Sequence, residues 1–567
     1  MPDSHVSETD YLSKPWLTLY PEDWPATVTP EFADMLSMFR AAARRRDAEA
    51  VRYFDGVLSF GDLDELSDAL AVWLAHNGVR RGDRVVVALQ NIPQFPIVLA
   101  AVWKLGAIPV PTNPMYTPSE LAKIYGDCNP TALVVSDEQL DSVRQAVQLA
   151  GIDARLVATS AHEFQTRTDP RILMPRRPAL AGLTDFMTAL AAHRGERPDT
   201  IELGGDEIGL LPYTSGTTGQ PKGVMLRHAS LAFNAQCNRM VAGLRSDSRI
   251  LAIAPLFHIT GFTCHFGAAL SARCSLVLHY RVNPAVVLES IREHRPTYTV
   301  GPITAFNALL SDASFRAQDF SSFERATSGG APMPQVWREK IGALTGLWLE
   351  NGYGMTESSA STIHTPPRRE VPIDAASGAL SVGVPTPGIE ILIVDEESRP
   401  VPIGTEGELW VRGRQVMAGY WRKPEETAAA LTGGWLRSGD VALMDAAGWV
   451  YIVDRKKDVI IASGFKVWPR EVEEALYAHP AVREAAVVGV PDDYRGETVQ
   501  AYVSLKQGRS ATVEELLAHC RGRLAGYKQP RLVEIVAELP KTITGKIQRN
   551  LVREQLSRAH SSGSHLR

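Results

Sequence analysis

Strand-like and helix-like patterns alternate from about residue 84 onward. RVVVAL (84–89) is a β-branched run that reads as a buried strand. Gln94 to Leu105 reads as a helix, and AIPVP (107–111) as a short strand. Thr117-Pro118-Ser119-Glu120 is a capping box with proline at the first helical position, so a helix starts there. TALVVS (131–136) is again a strand. This alternation predicts a parallel sheet covered by helices on both faces.

The pattern changes twice. Between about 380 and 453, VGVPTPGIEILIVD, GELWVRG, GWLRSGDVALMD and GWVYIVD are short strands separated by glycine and proline turns. That is antiparallel barrel or sandwich material. After the polar cluster Asp454-Arg455-Lys456-Lys457-Asp458, Pro469 to Ala478 reads as a helix with proline in its first turn. AAVVGV, TVQAYVSL and RLVEIV read as strands, and Thr512 caps a further helix. This tail of about 110 residues is expected to form its own α+β domain, with the cluster as its boundary.

Composition narrows the class. The 567 residues are 45% hydrophobic, 22% charged and 7% aromatic, as in a soluble globular protein of about three or four folding units. Fifty-nine basic against sixty-four acidic residues give a charge of −5, which argues against nucleic acid as a partner. Cys128, Cys237, Cys264, Cys274 and Cys520 are odd in number and far apart, without a CxxC. They read as small buried hydrophobes in a reducing cytoplasm. The polar N-terminus does not read as a secretory signal. The most apolar stretch, Ile92 to Pro111, is broken by Pro93, Pro96, Lys104 and Pro109, short of the roughly 20 clean apolar residues a membrane span needs. The final His565-Leu566-Arg567 is not a peroxisomal address.

The strongest chemical signal is Tyr213-Thr214-Ser215-Gly216-Thr217-Thr218-Gly219-Gln220-Pro221-Lys222-Gly223-Val224, directly after the strand-like IGLLP. Its glycines permit close backbone approach to a ligand. Hydroxyls and N–H groups can bind phosphate oxygens, and Lys222 adds charge. It is not a Walker A loop, because Lys222 is followed by Gly223 and the spacing from Gly216 is wrong.

This segment resembles the phosphate loop of the AMP-forming acyl-CoA synthetase, luciferase and peptide-synthetase adenylation superfamily. The resemblance runs from about 50 to 555, with the motifs in order. Pro255-Leu256-Phe257-His258 resembles the acyl-site motif, and Ser328-Gly329-Gly330-Ala331-Pro332 the adenine loop. Asn351-Gly352-Tyr353-Gly354-Met355-Thr356-Glu357 matches the next motif. Trp435-Leu436-Arg437-Ser438-Gly439-Asp440 follows, with serine where threonine is commoner. Asp454 to Asp458 resembles the hinge, Ser463-Gly464-Phe465-Lys466-Val467 the loop after it, and Leu539 to Lys546 the C-terminal lysine motif. Taken alone, Asp440 in Ser-Gly-Asp reads as a turn residue; only the motif gives it a ligand.

The resemblance implies an α/β fold. Residues 1–453 form a large N-terminal AMP-binding domain of two α/β sheets plus a β-barrel, 454–458 a hinge, and 459–567 a small mobile α+β domain. It implies ATP, Mg2+ and CoA as cofactor and co-substrates. A carboxylate would attack the α-phosphorus of ATP, pyrophosphate would leave, and the CoA thiol would then attack the acyl-adenylate. No general base is needed, since the acid is already ionised near neutral pH. The site must supply positioning and positive charge.

The residue roles implied are as follows. Thr214, Ser215, Gly216, Thr217, Thr218, Gly219 and Lys222 would hold phosphate. Gly330, Ala331, Pro332, Asn351, Gly352, Tyr353, Gly354, Met355 and Thr356 would surround the nucleotide, together with Ile452 and Arg455. Asp440 would accept from both ribose hydroxyls. Thr217 and Glu357 would hold magnesium, a hard cation that takes oxygen ligands. Lys546 would be the catalytic lysine and Lys457 the pivot that exchanges it for the Ser463, Gly464, Phe465 and Lys466 loop lining a CoA tunnel.

His258, Phe262, Gly329 and Gly354 would line the acyl pocket. Adenylation domains for α-amino acids carry an aspartate where His258 stands, and histidine cannot supply a permanent negative charge. Gly261, Gly301, Gly329 and Gly354 are expected to leave room for a long or flat acyl group. A medium- or long-chain fatty acid is the first expectation and an aryl or cinnamate-type acid the second. Ligation to a carrier protein, a non-catalytic ligand-binding homologue, peripheral membrane contact and a homodimer stay open.

Overall fold

The computed structural model describes residues 11–176, 183–215, 220–375, 377–455, 458–462, 465–492, 496–542, 546–549 and 551–553. The expected strand–helix alternation is present. Arg84–Ala88, Ile108–Pro111, Ala132–Ser136, Arg155–Thr159 and Thr184–Asp185 form a five-stranded parallel sheet. The intervening helix Gln94–Lys104 is buried along its whole length. Its one lysine, Lys104, is neutralised in place by Asp64 at 2.8 Å and Asp68 at 2.6 Å, which is how a charge survives in that apolar stretch. The next helix, Pro118–Cys128, starts on the Thr117/Glu120 capping box, each partner accepting from the other's backbone N–H.

A larger mixed sheet has nine strands. Its centre is parallel: Glu49–Tyr53, Ser275–Leu278, Arg249–Leu251, Tyr298–Gly301, Arg325–Gly329 and Glu350–Met355. Antiparallel strands close both edges. A smaller sheet holds Ile208–Leu210, Tyr213–Ser215, Pro221–Arg227 and Gly419–Tyr420. The region expected as barrel material is a five-stranded antiparallel sheet built on Glu390–Val394, Gly407–Arg412, Trp435–Met444 and Val450–Arg455. Tyr11, Trp16 and Trp24 pack into its core, and Tyr11 donates to the Val401 carbonyl at 3.0 Å.

The C-terminal domain pairs Val482–Asp492 with Gly496–Leu505 antiparallel and adds Leu532–Ile535 parallel. The helices Pro469–Tyr477 and Val513–Arg521 pack beside them. All five cysteines are buried and free, as expected of small apolar residues. No helix among the described residues is long and apolar enough to cross a membrane.

Gly383 sits where the nine-stranded sheet meets the antiparallel one. Its φ is +107°, it bridges to Val450, and an added Cβ would lie 2.1 Å from the His364 carbonyl carbon. Gly378 has a similar φ of +70° but open space around the same position. Gly383→Ala is expected to cost roughly 3 kcal/mol or more in urea unfolding, against about 1 kcal/mol for Gly378→Ala. Equal losses would show that backbone strain alone, not contact at the join, sets the cost.

Candidate active site

The C-terminal ends of the parallel strands are the usual ligand position in open α/β sheets. Arg325–Gly329 lies beside Glu350–Met355, with Ser328 opposite Asn351 and Gly329 opposite Gly352. Gly330 follows with φ +80° and is exposed, as is Pro332, while Ser328 and Met333 on either side are buried. Tyr353 points from its strand to the antiparallel sheet and donates to Asp440 Oδ2 at 2.7 Å.

Asp440 is not a turn residue. It lies within Trp435–Met444, just after Gly439, whose φ of +71° accompanies a register shift against Gly407–Arg412. That bulge re-aims the side chain. Ser438 fastens it, donating to the Leu409 carbonyl at 2.6 Å and accepting from Asp440 N at 3.1 Å. Arg455 lies opposite Asp440 in the next strand. The first two residues of the expected hinge therefore belong to a strand.

The phosphate-loop flanks form a hairpin, with Ser215 opposite Pro221 and Thr214 opposite Lys222. Gly216, Thr217, Thr218 and Gly219 lie outside the described residues, as do Lys457, Ser463 and Gly464. Sequence reasoning missed Tyr420. Lys222 Nζ sits 5.1 Å from the centre of its ring, and its hydroxyl donates to Glu357 Oε1 at 2.9 Å. Burial, then the Glu357 charge, raises the Tyr420 pKa, so it stays a proton donor. A tyrosine beside Gly419 ahead of a helix start carries no chemical signal in sequence. Its role comes from the pairing of Gly419 and Tyr420 with Met225 and Val224 on the hairpin.

His258 follows the Arg249–Leu251 strand and precedes a π-helical turn, Gly261–Gly267. Its Nδ1 accepts from Thr260 N at 3.3 Å, which leaves the proton of the neutral ring on Nε2. Burial pushes its pKa down to about 4, and the Lys546 ammonium lowers it further in the same direction. Lys546, 288 residues away in sequence, thus lies near enough to the acyl-site motif for its charge to act on His258. Its turn is closed by Thr542, whose N–H donates to the Lys546 carbonyl at 2.7 Å and whose hydroxyl accepts from Lys546 N at 3.1 Å.

Other residues of the expected site have partners within the protein. Asn351 is 2% exposed and its amide donates to the Ser381 carbonyl, so its side chain fixes the strand. Ile452 offers its carbonyl to Arg470. Phe262 is buried in an aromatic cluster with Trp103 at 6.1 Å and Phe266 at 5.9 Å. The glycines expected to leave acyl space are filled by the protein itself. A Cβ would stand 2.1 Å from Pro255 O at Gly261, 2.8 Å from Ile253 Cγ2 at Gly301, 3.0 Å from Gly352 O at Gly329 and 1.7 Å from Ala360 O at Gly354. They permit close packing; their lost side chains do not create the pocket.

The arrangement sets Asp440, the hairpin flanks Thr214 and Lys222, and Glu357 on neighbouring elements. The AMP-binding enzyme family model matches residues 38–421, and the AMP-binding enzyme C-terminal domain model matches 471–546. The chain belongs to the AMP-binding enzyme family and is an AMP-forming acid–thiol ligase. It is 37% identical to a long-chain-fatty-acid–CoA ligase of Bacillus subtilis (strain 168), over 96% of this chain and 99% of the relative. It is 36% identical to a feruloyl-CoA synthase of an Amycolatopsis species, over 91% and 97%. Among solved structures, the anthranilate CoA ligase AuaEII in complex with anthranoyl-AMP matches with a TM-score of 0.85 and 28% identity, covering 95% of this chain and all of that one (100%).

The Lys546 charge makes a direct expectation for His258. In Lys546→Met the His258 pKa should rise from about 4, yet stay below its ordinary 6.5, because burial, the larger cause, remains. A 13C-histidine NMR titration of the two proteins reads this. An unmoved His258 resonance would mean that the two side chains are not neighbours in solution.

Proposed function

We propose that the protein is an acid–CoA ligase for neutral-tailed carboxylic acids, with medium- or long-chain fatty acids first. ATP and the acid would give acyl-adenylate and pyrophosphate; the CoA thiol would then displace AMP. The observation that carries this reading is the effect of the Lys546 charge on His258. It supports a cation from the C-terminal domain acting where carboxylate and α-phosphate would meet. The several curated relatives named for long-chain fatty acids favour that substrate class. The feruloyl, anthranilate and benzoate enzymes support an aryl acid as the second reading.

In this reading residues 1–453 hold both substrates, 454–458 act as the hinge, and 459–567 bring Lys546 and then the Ser463–Lys466 segment to the same site. Asp440 accepts the ribose hydroxyls while Tyr353 orients it. Lys222 faces phosphate, backed by the Tyr420 ring. Glu357 fits a hard cation. It is a half-buried carboxylate beside the hairpin, and no cluster of three ligating side chains occurs among the described residues. A single carboxylate with Thr217 and phosphate oxygens suits magnesium, which keeps few protein ligands. The bound ion would offset triphosphate charge. The protein's own part is to fix Glu357 through Tyr420.

Pyrophosphate release against fatty acids of roughly six to sixteen carbons, cinnamates, benzoates and α-amino acids, with and without CoA, tests the substrate class. Activity confined to amino acids would overturn it. Lys546→Ala should lower adenylation by at least about 10²–10³ while sparing thioester formation from supplied acyl-adenylate. Equal loss in both steps would remove Lys546 from the adenylation chemistry.

Tyr420→Phe keeps the ring under Lys222 but removes the hydrogen bond to Glu357. We expect a loss of about tenfold in adenylation kcat/KM, recovered in part at high Mg2+. A loss that Mg2+ does not touch would separate Tyr420 from the metal site.

A further inference from the structure

Three residues beyond Lys546, Arg549 lies at the centre of a buried charge network. Its Nη1 bonds Asp454 Oδ1 at 2.6 Å and approaches Asp458 at 3.4 Å. Its Nη2 and Nε hold both oxygens of Glu473, at 2.6 and 3.0 Å. The side chains are 15% exposed for Arg549, 3% for Asp454, 9% for Asp458 and 11% for Glu473. Glu473 Oε1 also accepts from Val487 N, and Arg553 takes the other oxygen of Asp458. Water is largely excluded, so these bonds are strong and expensive to leave half-made.

The partners lie on different elements. Glu473 is on the helix Pro469–Tyr477 and Asp458 leads into the C-terminal sheet. Asp454 is on Val450–Arg455, opposite Val441 and next to the residue pair Asp440–Arg455. The other oxygen of Asp454 accepts from Arg470 N at 3.0 Å, and Arg470 also reaches the Ile452 carbonyl. When the C-terminal domain turns away, the Arg549–Glu473 bonds travel with it. The Arg549–Asp454 and Arg470–Asp454 bonds must break.

We propose that Arg549 is a positioning residue for the first half-reaction: by clamping Asp454 to Glu473 and Asp458, it holds Lys546 in register with Asp440 and weights the domain arrangement in which adenylation occurs. The proposal rests on the ligase reading above. Its path is short and covalent at both ends, from Lys546 through three residues to Arg549, then from Asp454 along a paired strand to Asp440. Arg549 touches no substrate; it acts through Lys546.

Asp454→Asn tests the clamp, because it cuts the arm between domains and leaves Arg549, Glu473 and Asp458 paired. We expect ATP–pyrophosphate exchange to fall about tenfold or more. Thioester formation from supplied acyl-adenylate and CoA should be unchanged or faster. Trypsin should cut faster after Arg455, Lys456 and Lys457, a readout that needs no substrate. Glu473→Gln, which lies within one domain, should lower the melting temperature without this split. If Asp454→Asn does not fold, Arg549→Lys, which keeps the charge but not the fork, gives the same comparison. Equal loss in both half-reactions, or unchanged tryptic cleavage, would overturn the clamp. Wild-type inactivity across the whole acid panel would overturn the ligase reading instead, and the tryptic comparison would still decide the clamp.

Discussion

The hydrogen bond from Tyr353 to Asp440 crosses the join between the nine-stranded sheet and the antiparallel one. Tyr353 takes its place from parallel pairing in the nine-stranded sheet, and Asp440 from a glycine-centred bulge in the antiparallel one. Neither residue could be aimed by its own sheet alone, because each lies at the edge of that sheet's regular pairing. The join is reinforced nearby by Gly383, which lets the backbone pass against His364, and by Asn351 on Ser381. The segment 328–332 lies at the end of a strand on one side of this seam, and Val450–Arg455 lies on the other.

The chemistry asks for cations beside two anionic substrates, and the protein distributes them over separate elements. Lys222 stands on a hairpin against the Tyr420 ring, and Lys546 comes from the C-terminal domain. His258 contributes no charge near neutral pH, since burial and Lys546 hold its pKa near 4. Splitting the charges this way avoids packing like charges into one rigid cluster, which would destabilise the empty site. Arg549, buried among carboxylates, is the counterweight that makes the adenylating domain arrangement favourable.

Much of this was legible in sequence. The parallel sheet, the capping boxes at Thr117 and Thr512, the antiparallel region and the C-terminal α+β domain follow from local periodicity and turn chemistry, and the structure agrees. Asp440, Glu357, Tyr353 and Lys546 were nameable because they sit in contiguous motifs. What escaped was whatever depends on pairing distant segments. Tyr420 acts through strand contacts with the hairpin some 200 residues earlier. Arg549 acts through a residue 95 positions away. The glycine reading failed for a related reason: a missing Cβ marks close approach, but only the fold tells whether a ligand or the chain's own backbone fills the space.

That last point changes how substrate choice should be argued. With Gly261, Gly301, Gly329 and Gly354 occupied by neighbouring protein atoms, and Phe262 locked between Trp103 and Phe266, counting glycines says nothing about acyl length. The informative feature is the charge state of His258. A neutral imidazole with its proton on Nε2 offers a donor and no fixed charge. It gives no reward for an ammonium group, in contrast to an aspartate at the same place, and does not distinguish an alkyl from an aryl tail.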